Sequence, residues 1–130
     1  MMTEQVMMKG KRILIIDDDR FLIKLMHRLL SQEGYDVLTA CHGKDAIKIL
    51  SKETVDFIVV DLMMPEMDGI EFLYWLRQEA KLTLPTLVQT GMVKASIESQ
   101  VMAAGATALI YKPIKSADLI AKIKEMELAL

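Results

Sequence analysis

Val55-Asp-Phe-Ile-Val-Val-Asp61-Leu-Met-Met-Pro-Glu-Met-Asp-Gly69 is the stretch whose reading decides the fold. Phe57 to Val60 is a short apolar, β-branched run that stops at Asp61, with Pro65 and the Asp68-Gly69 pair close behind. That pattern reads as a buried strand carrying a carboxylate at its C-terminal tip, followed by a turn into the next element. In open parallel α/β sheets the strand tips are where ligands bind.

Working outward, the same grammar repeats. Ile13 to Ile16 is an apolar run ending in Asp17-Asp18-Asp19, and Phe21, Leu22, Leu25, Met26, Leu29 and Leu30 then recur at helical spacing up to Gly34. Tyr35 to Ala40 reads as a strand, His42-Gly43 as a turn, and Ala46, Ile47, Ile49 and Leu50 as one face of a second helix. A third helix is expected from about Gly69 to Ala80. Pro85 then opens a strand, Thr86 to Gln89, that ends at Thr90-Gly91. Lys94 to Ala104 reads as a helix ended by Gly105, Thr107 to Tyr111 as a strand stopping at Lys112-Pro113, and Ser116 as the N-cap of a last helix. Strand and helix alternate five times with short connections, which predicts one α/β domain built on a parallel sheet covered on both faces. Residues 1–11 show no period and are expected to be a loose leader to a domain spanning 12–130.

Composition narrows the function. The 130 residues are 52% hydrophobic, enough for one core, and the formal net charge of −2 predicts no general attraction to nucleic acid or anionic membrane. Cys41 is the single cysteine, so an intrachain disulfide and a Cys-rich metal site are excluded. No apolar run reaches the ~18 residues of a membrane span, and the N-terminus lacks the pattern of a secretory signal. A cytoplasmic setting is expected. His27, with no second ligand at metal-binding spacing, and Trp75 and Tyr74, beside a helical stripe, read as packing or surface residues.

A parallel sheet brings the C-terminal strand ends to one edge, and with them Asp17, Asp18, Asp19, Asp61, Thr90 and Lys112. Two like charges ~4 Å apart at an effective dielectric of ~20 repel by ~4 kcal/mol, so such a cluster calls for a cation. Carboxylate, carbonyl and water oxygens suit Mg2+, and Lys112 adds a fixed positive charge.

Taken together, Ile13-Leu-Ile-Ile-Asp-Asp-Asp19, Asp61-Leu-Met-Met-Pro-Glu-Met-Asp-Gly69, Thr90-Gly91, Lys112-Pro113 and Ala40-Cys-His-Gly-Lys-Asp-Ala46 resemble the receiver domain of two-component response regulators. The resemblance runs over roughly residues 11 to 129. It implies a flavodoxin-like (βα)5 three-layer sandwich with a five-stranded parallel sheet in the order 2-1-3-4-5. It also implies a phosphorylation-dependent signalling switch rather than a turnover enzyme. Asp61 would be the phosphoacceptor. Asp18, Asp61 and the Met63 carbonyl would bind Mg2+ (or Mn2+) directly and Asp17 through water, with Asp19 capping a helix. Lys112 and Thr90 would contact the phosphoryl group, Gly91 would leave it room, and Lys112-Pro113 is a candidate cis bond.

The implied partners are a sensor histidine kinase or histidine phosphotransfer protein, docking on the first helix. A downstream protein would bind the face made by helix four, strand five and helix five, with homodimerisation on phosphorylation as a further outcome. Direct nucleic-acid or membrane binding is not expected.

Leu109 stands where relatives carry an aromatic relay, so little movement is expected there. Met63 and Met92 flank the site and cannot orient water, which predicts a persistent phospho-Asp61. Three alternatives stay open: a receiver that is part of a multidomain regulator, a degenerate receiver that is not phosphorylated, and a haloacid-dehalogenase-type phosphatase. The last would use Asp17 and Asp19 but finds Phe21 where it needs a hydroxyl.

Overall fold

The computed structural model describes residues 11–128, so the expected leader falls almost wholly outside the described residues. The elements are β1 (Arg12–Ile16), α1 (Arg20–Gln32), β2 (Asp36–Ala40), α2 (Gly43–Lys52), β3 (Phe57–Asp61) and α3 (Gly69–Tyr74, continued by a wider π-type turn, Trp75–Glu79). β4 (Thr86–Thr90), α4 (Ala95–Ala104), β5 (Ala108–Tyr111) and α5 (Ser116–Leu128) complete the chain. All strand pairs are parallel, in the order β2-β1-β3-β4-β5. This is the flavodoxin-like architecture that the resemblance implied.

Period-two alternation along the strands divides the interior into two cores. Leu14, Ile16, Ile58, Val60 and Val88 face one side, against Ala46 of α2, Phe72 and Leu76 of α3 and Val101 of α4. Ile13, Ile15, Phe57, Val59 and Leu87 face the other, against Ile23 and Met26 of α1 and Leu119 and Ile123 of α5. Every residue of β3 and β4 is buried, whereas the edge strands β2 and β5 are half exposed. The middle of the sheet therefore delivers its terminal residues, Asp61 and Thr90, from a rigid and dry base.

Local signals fix the helix ends. Asp19 is the N-cap of α1, its side chain accepting from the N–H groups of Phe21 and Leu22, and Gly34 takes a φ of 96° where the helix stops. Asp68 and Glu71 form a reciprocal capping box at α3. Gly105 ends α4 at a φ of 115°.

Three expectations differ in detail. His42-Gly43 does not stand apart as a turn, because Gly43 is already the first residue of α2. Ser116 is the first helical residue of α5, one position inside the expected cap, with the Lys115 carbonyl accepting from the Leu119 N–H. The third helix is not uniform to its end. The Ala80 N–H reaches back to the Trp75 carbonyl at 2.9 Å, five residues away, and the Arg77 side chain spans to the carbonyls of Gly105 (3.0 Å) and Leu82 (2.9 Å). Trp75 lies against Phe72 with ring centroids 5.9 Å apart, the packing role expected of it.

Candidate functional site

Four strand ends meet at one edge of the sheet. Asp17, just beyond β1, is wholly buried and Asp18 is exposed; Asp61 ends β3 buried, and Thr90 ends β4 buried. Lys112 follows β5, and its ammonium lies 3.2 Å from Asp61 Oδ1 and 3.5 Å from Asp17 Oδ2. One carboxylate oxygen from each of Asp17, Asp18 and Asp61 falls within 4.8 Å of the others. The Lys112-Pro113 bond is cis, as the resemblance implied.

The electrostatics follow from that crowding. Burial pushes the Asp17 carboxyl up to about 6; the Asp19 N–H and Lys112 work against the shift, and the charge of Asp61 adds to it. Burial also raises Asp61, opposed by Lys112 and the Met63 N–H and reinforced by Asp18. For Lys112, burial alone would lower the ammonium, yet Asp17 and Asp61 carry it above its ordinary value. Three carboxylates and one ammonium leave the site two negative charges in excess, which one divalent cation neutralises. The oxygen-only donor set, open to solvent at Asp18, suits a hard cation such as Mg2+.

The loop from β3 to α3 is drawn tightly over the site. The Gly69 N–H donates to the Leu62 carbonyl at 2.8 Å. A Cβ at Gly69 would lie 2.8 Å from the Asp61 carbonyl oxygen and 2.9 Å from Leu62 Cα. Here glycine is required for close approach of backbone to backbone. At Gly91 a Cβ would meet no protein atom within 4 Å, so the space beside the site is open there. Met63, whose carbonyl is a candidate ligand, projects its side chain outward at 60% exposure.

Asp17, Asp18, Asp61 and Lys112 are thus brought together. Thr90 stands on the adjacent tip, with its hydroxyl accepting from the Met92 N–H at 3.0 Å and its carbonyl accepting from the Lys112 N–H at 2.8 Å. Asp19 is spent on the helix cap, which removes the second acid that the phosphatase alternative requires. Leu109 packs into the core beneath α4, while Tyr111, paired across the sheet with Thr90, reaches Glu98 of α4 at 3.4 Å.

One residue escaped the sequence reading. Gln89, opposite Asp61 in the sheet register, is wholly buried and donates from Nε2 to Asp17 Oδ2 at 2.7 Å. Its only signal in the sequence is a long polar side chain inside an otherwise strand-forming run.

Comparison with known proteins agrees with the fold. The chain is 36% identical over 115 residues to the alkaline phosphatase synthesis transcriptional regulatory protein PhoP of Bacillus subtilis (strain 168), a match covering 88% of this chain and 48% of that protein. It is 35% identical over 115 residues to the response regulator MprA of Mycolicibacterium vanbaalenii, covering 88% of this chain and 49% of that one. The chain therefore spans about half the length of these curated relatives. Among solved structures, the chemotaxis protein CheY4 of Vibrio cholerae superposes with a TM-score of 0.85 at 27% identity, covering 89% of this chain and 98% of that one. A CheY-like receiver domain protein of Methanospirillum hungatei JF-1 gives 0.82 at 31% identity, covering 88% and 91%. The family model for the response regulator receiver domain matches residues 13–124, and the chain belongs to that family.

Proposed function

We propose that this chain is a phosphorylation-driven switch in which Asp61 accepts a phosphoryl group from a phosphohistidine on a sensor kinase or phosphotransfer protein. The observation that carries the reading is the Lys112 ammonium 3.2 Å from a buried Asp61 carboxylate that also belongs to a three-acid group. Asp61 Oδ attacks phosphorus as the P–N bond to the donor histidine breaks, and the imidazole leaves with the electron pair. Lys112 stabilises the charge that spreads over the phosphoryl oxygens, which is the main lever available in this chemistry. Asp18, Asp61 and the Met63 carbonyl would hold Mg2+ directly, and Asp17 would hold it through water. When bound, the ion supplies the charge neutralisation that lets donor phosphate and acceptor carboxylate approach.

The acyl phosphate brings about two negative charges and three acceptor oxygens to the tip of β3. The Thr90 hydroxyl then donates to one of them, and the loop after β4 is drawn inward. Tyr111 and α4 lie beside that loop, so the change reaches the α4–β5–α5 face, where a partner protein reads it. Leu109 has no ring to swing and stays in place. Structures with and without bound beryllofluoride should differ in the loop at 91–94 with Leu109 unmoved; a rotamer change at 109 would overturn this route.

Incubation with Mg2+ and acetyl phosphate, followed by intact-mass measurement, tests the chemistry. A gain of one phosphate that Asp61→Asn abolishes supports it, and persistence of the adduct after donor removal fits the apolar Met63 and Met92 neighbours. Release of many phosphates per chain would point to a phosphatase, and no adduct to a receiver that signals without phosphorylation.

A further inference from the structure

Gln89 is out of place for packing alone. Two positions earlier on the same face of β4, Leu87 lies in the core beneath α1 and α5, whereas Gln89 sets a buried amide against Asp17. A buried primary amide brings two donors and an acceptor that must all be accounted for. One donor is used in the 2.7 Å bond to Asp17 Oδ2. Oε1, in contrast, is buried without a partner among the described residues. An orphaned buried acceptor weakens a fold, and the residue therefore calls for a reason beyond packing.

The reason lies in what holds Asp17. Its Oδ1 accepts from the Asp19 N–H at 2.9 Å, and its Oδ2 accepts from Gln89 and, at a longer 3.5 Å, from Lys112. Lys112 is shared with Asp61, to which it lies closer, so its hold on Asp17 is divided. Gln89 has no second carboxylate partner among the described residues. It is neutral, so it orients Asp17 without cancelling the negative charge that a cation would need. Metal sites commonly depend on such outer partners to fix the direction of a ligand carboxylate.

Resting on the receiver reading above, we propose that Gln89 is a positioning residue of the cation site. Its Nε2 holds the Asp17 carboxylate in place, and its unpaired Oε1 would be available to accept from a water bound with the cation.

The test uses the whole chain with no phosphoryl donor. Mn2+ is titrated in, and free Mn2+ is read by electron paramagnetic resonance. Gln89→Met keeps the length of the side chain and removes both polar atoms. It is expected to weaken Mn2+ binding roughly ten-fold or more. In parallel, the Gln89 side-chain amide is followed by 15N–1H NMR in the unmodified protein as Mg2+ is added. It is expected to shift with the midpoint of Mg2+ binding. The proposal is overturned if Gln89→Met binds Mn2+ within two-fold of the unmodified protein, or if the amide stays still at Mg2+ saturation. Should Gln89→Met fail to fold, the amide titration decides alone. If the unmodified protein binds neither ion, the receiver reading falls together with this proposal. If it binds both and is phosphorylated on Asp61 while the amide is silent, only the role of Gln89 falls.

Discussion

Asp17 is buried beside Asp61 with a lysine that both must share, and burial raises its carboxyl from 3.8 to about 6. A folded-state value above the unfolded one means that the native protein holds its proton over that interval while the unfolded chain has lost it. The stabilisation is complete below the unfolded value and is lost as pH rises through about 6. Two units correspond to about 3 kcal/mol, and Asp61 is shifted in the same direction. The thermal midpoint of the metal-free protein should therefore rise as pH falls from about 7 to about 5; a flat or falling midpoint would show that the two acids are already compensated. Gly69 offers a second test at this scale, because an added Cβ meets the backbone of Asp61 and Leu62 rather than a flexible side chain. Gly69→Ala should lose about 1–3 kcal/mol in urea unfolding and slow phosphorylation by displacing Asp61. That Asp17, Asp18, Asp61, Thr90 and Lys112 converge was legible from sequence, because each ends or closely follows a strand and parallel strands share one edge. Gln89 was not, because its meaning is a contact with a residue 72 positions away that no local pattern encodes.

The elements were legible to different degrees, and the reason is where their determinants lie. β1 and β3 are largely apolar runs and β4 a short strand-forming run opened by Pro85 and closed by Gly91, so their existence follows from local sequence. The widened turn at Trp75–Glu79 does not, because Arg77 there reaches carbonyls at 82 and 105 that are contributed from outside the helix. α1 presents two contrasting faces. Its inner face buries Ile23, Met26 and Leu30, while its outer face leaves Phe21 79% exposed and Leu25 partly exposed in a shallow groove lined also by Lys24 and Arg28. Asp19, its cap, directly follows the site acids Asp17 and Asp18, which makes that groove the expected docking place of a histidine-bearing partner. Phe21→Asp should reduce phosphotransfer from a histidine-bearing partner by roughly ten-fold, as loss of an aromatic anchor does, and leave labelling by acetyl phosphate unchanged. Equal loss with both donors would mean that α1 supports the chemistry and not the docking.

Across the whole molecule, stability and reactivity occupy different places. Two apolar cores on opposite faces of the sheet hold the strands, while one end of that sheet concentrates three carboxylates against a single lysine. Such a fold tolerates a charge-crowded edge because the burial that sustains it lies elsewhere, and it should respond as a unit when the edge is neutralised. A ligand that binds only the native state adds RT ln(1 + [L]/Kd), about 2.7 kcal/mol at a hundred times Kd. For a domain of this size that corresponds to a rise in thermal midpoint on the order of 10 °C. Mg2+ should produce this rise at pH 7 and less of it at pH 5, where protonation of Asp17 competes with the ion. Asp61→Asn removes one of the three like charges, so it should be more stable than the unmodified protein without metal and gain less when Mg2+ is added. A midpoint unmoved by tens of millimolar Mg2+ in the unmodified protein would mean that the three acids do not form a cation site, and the electrostatic argument for Asp61 would have to rest on Lys112 alone.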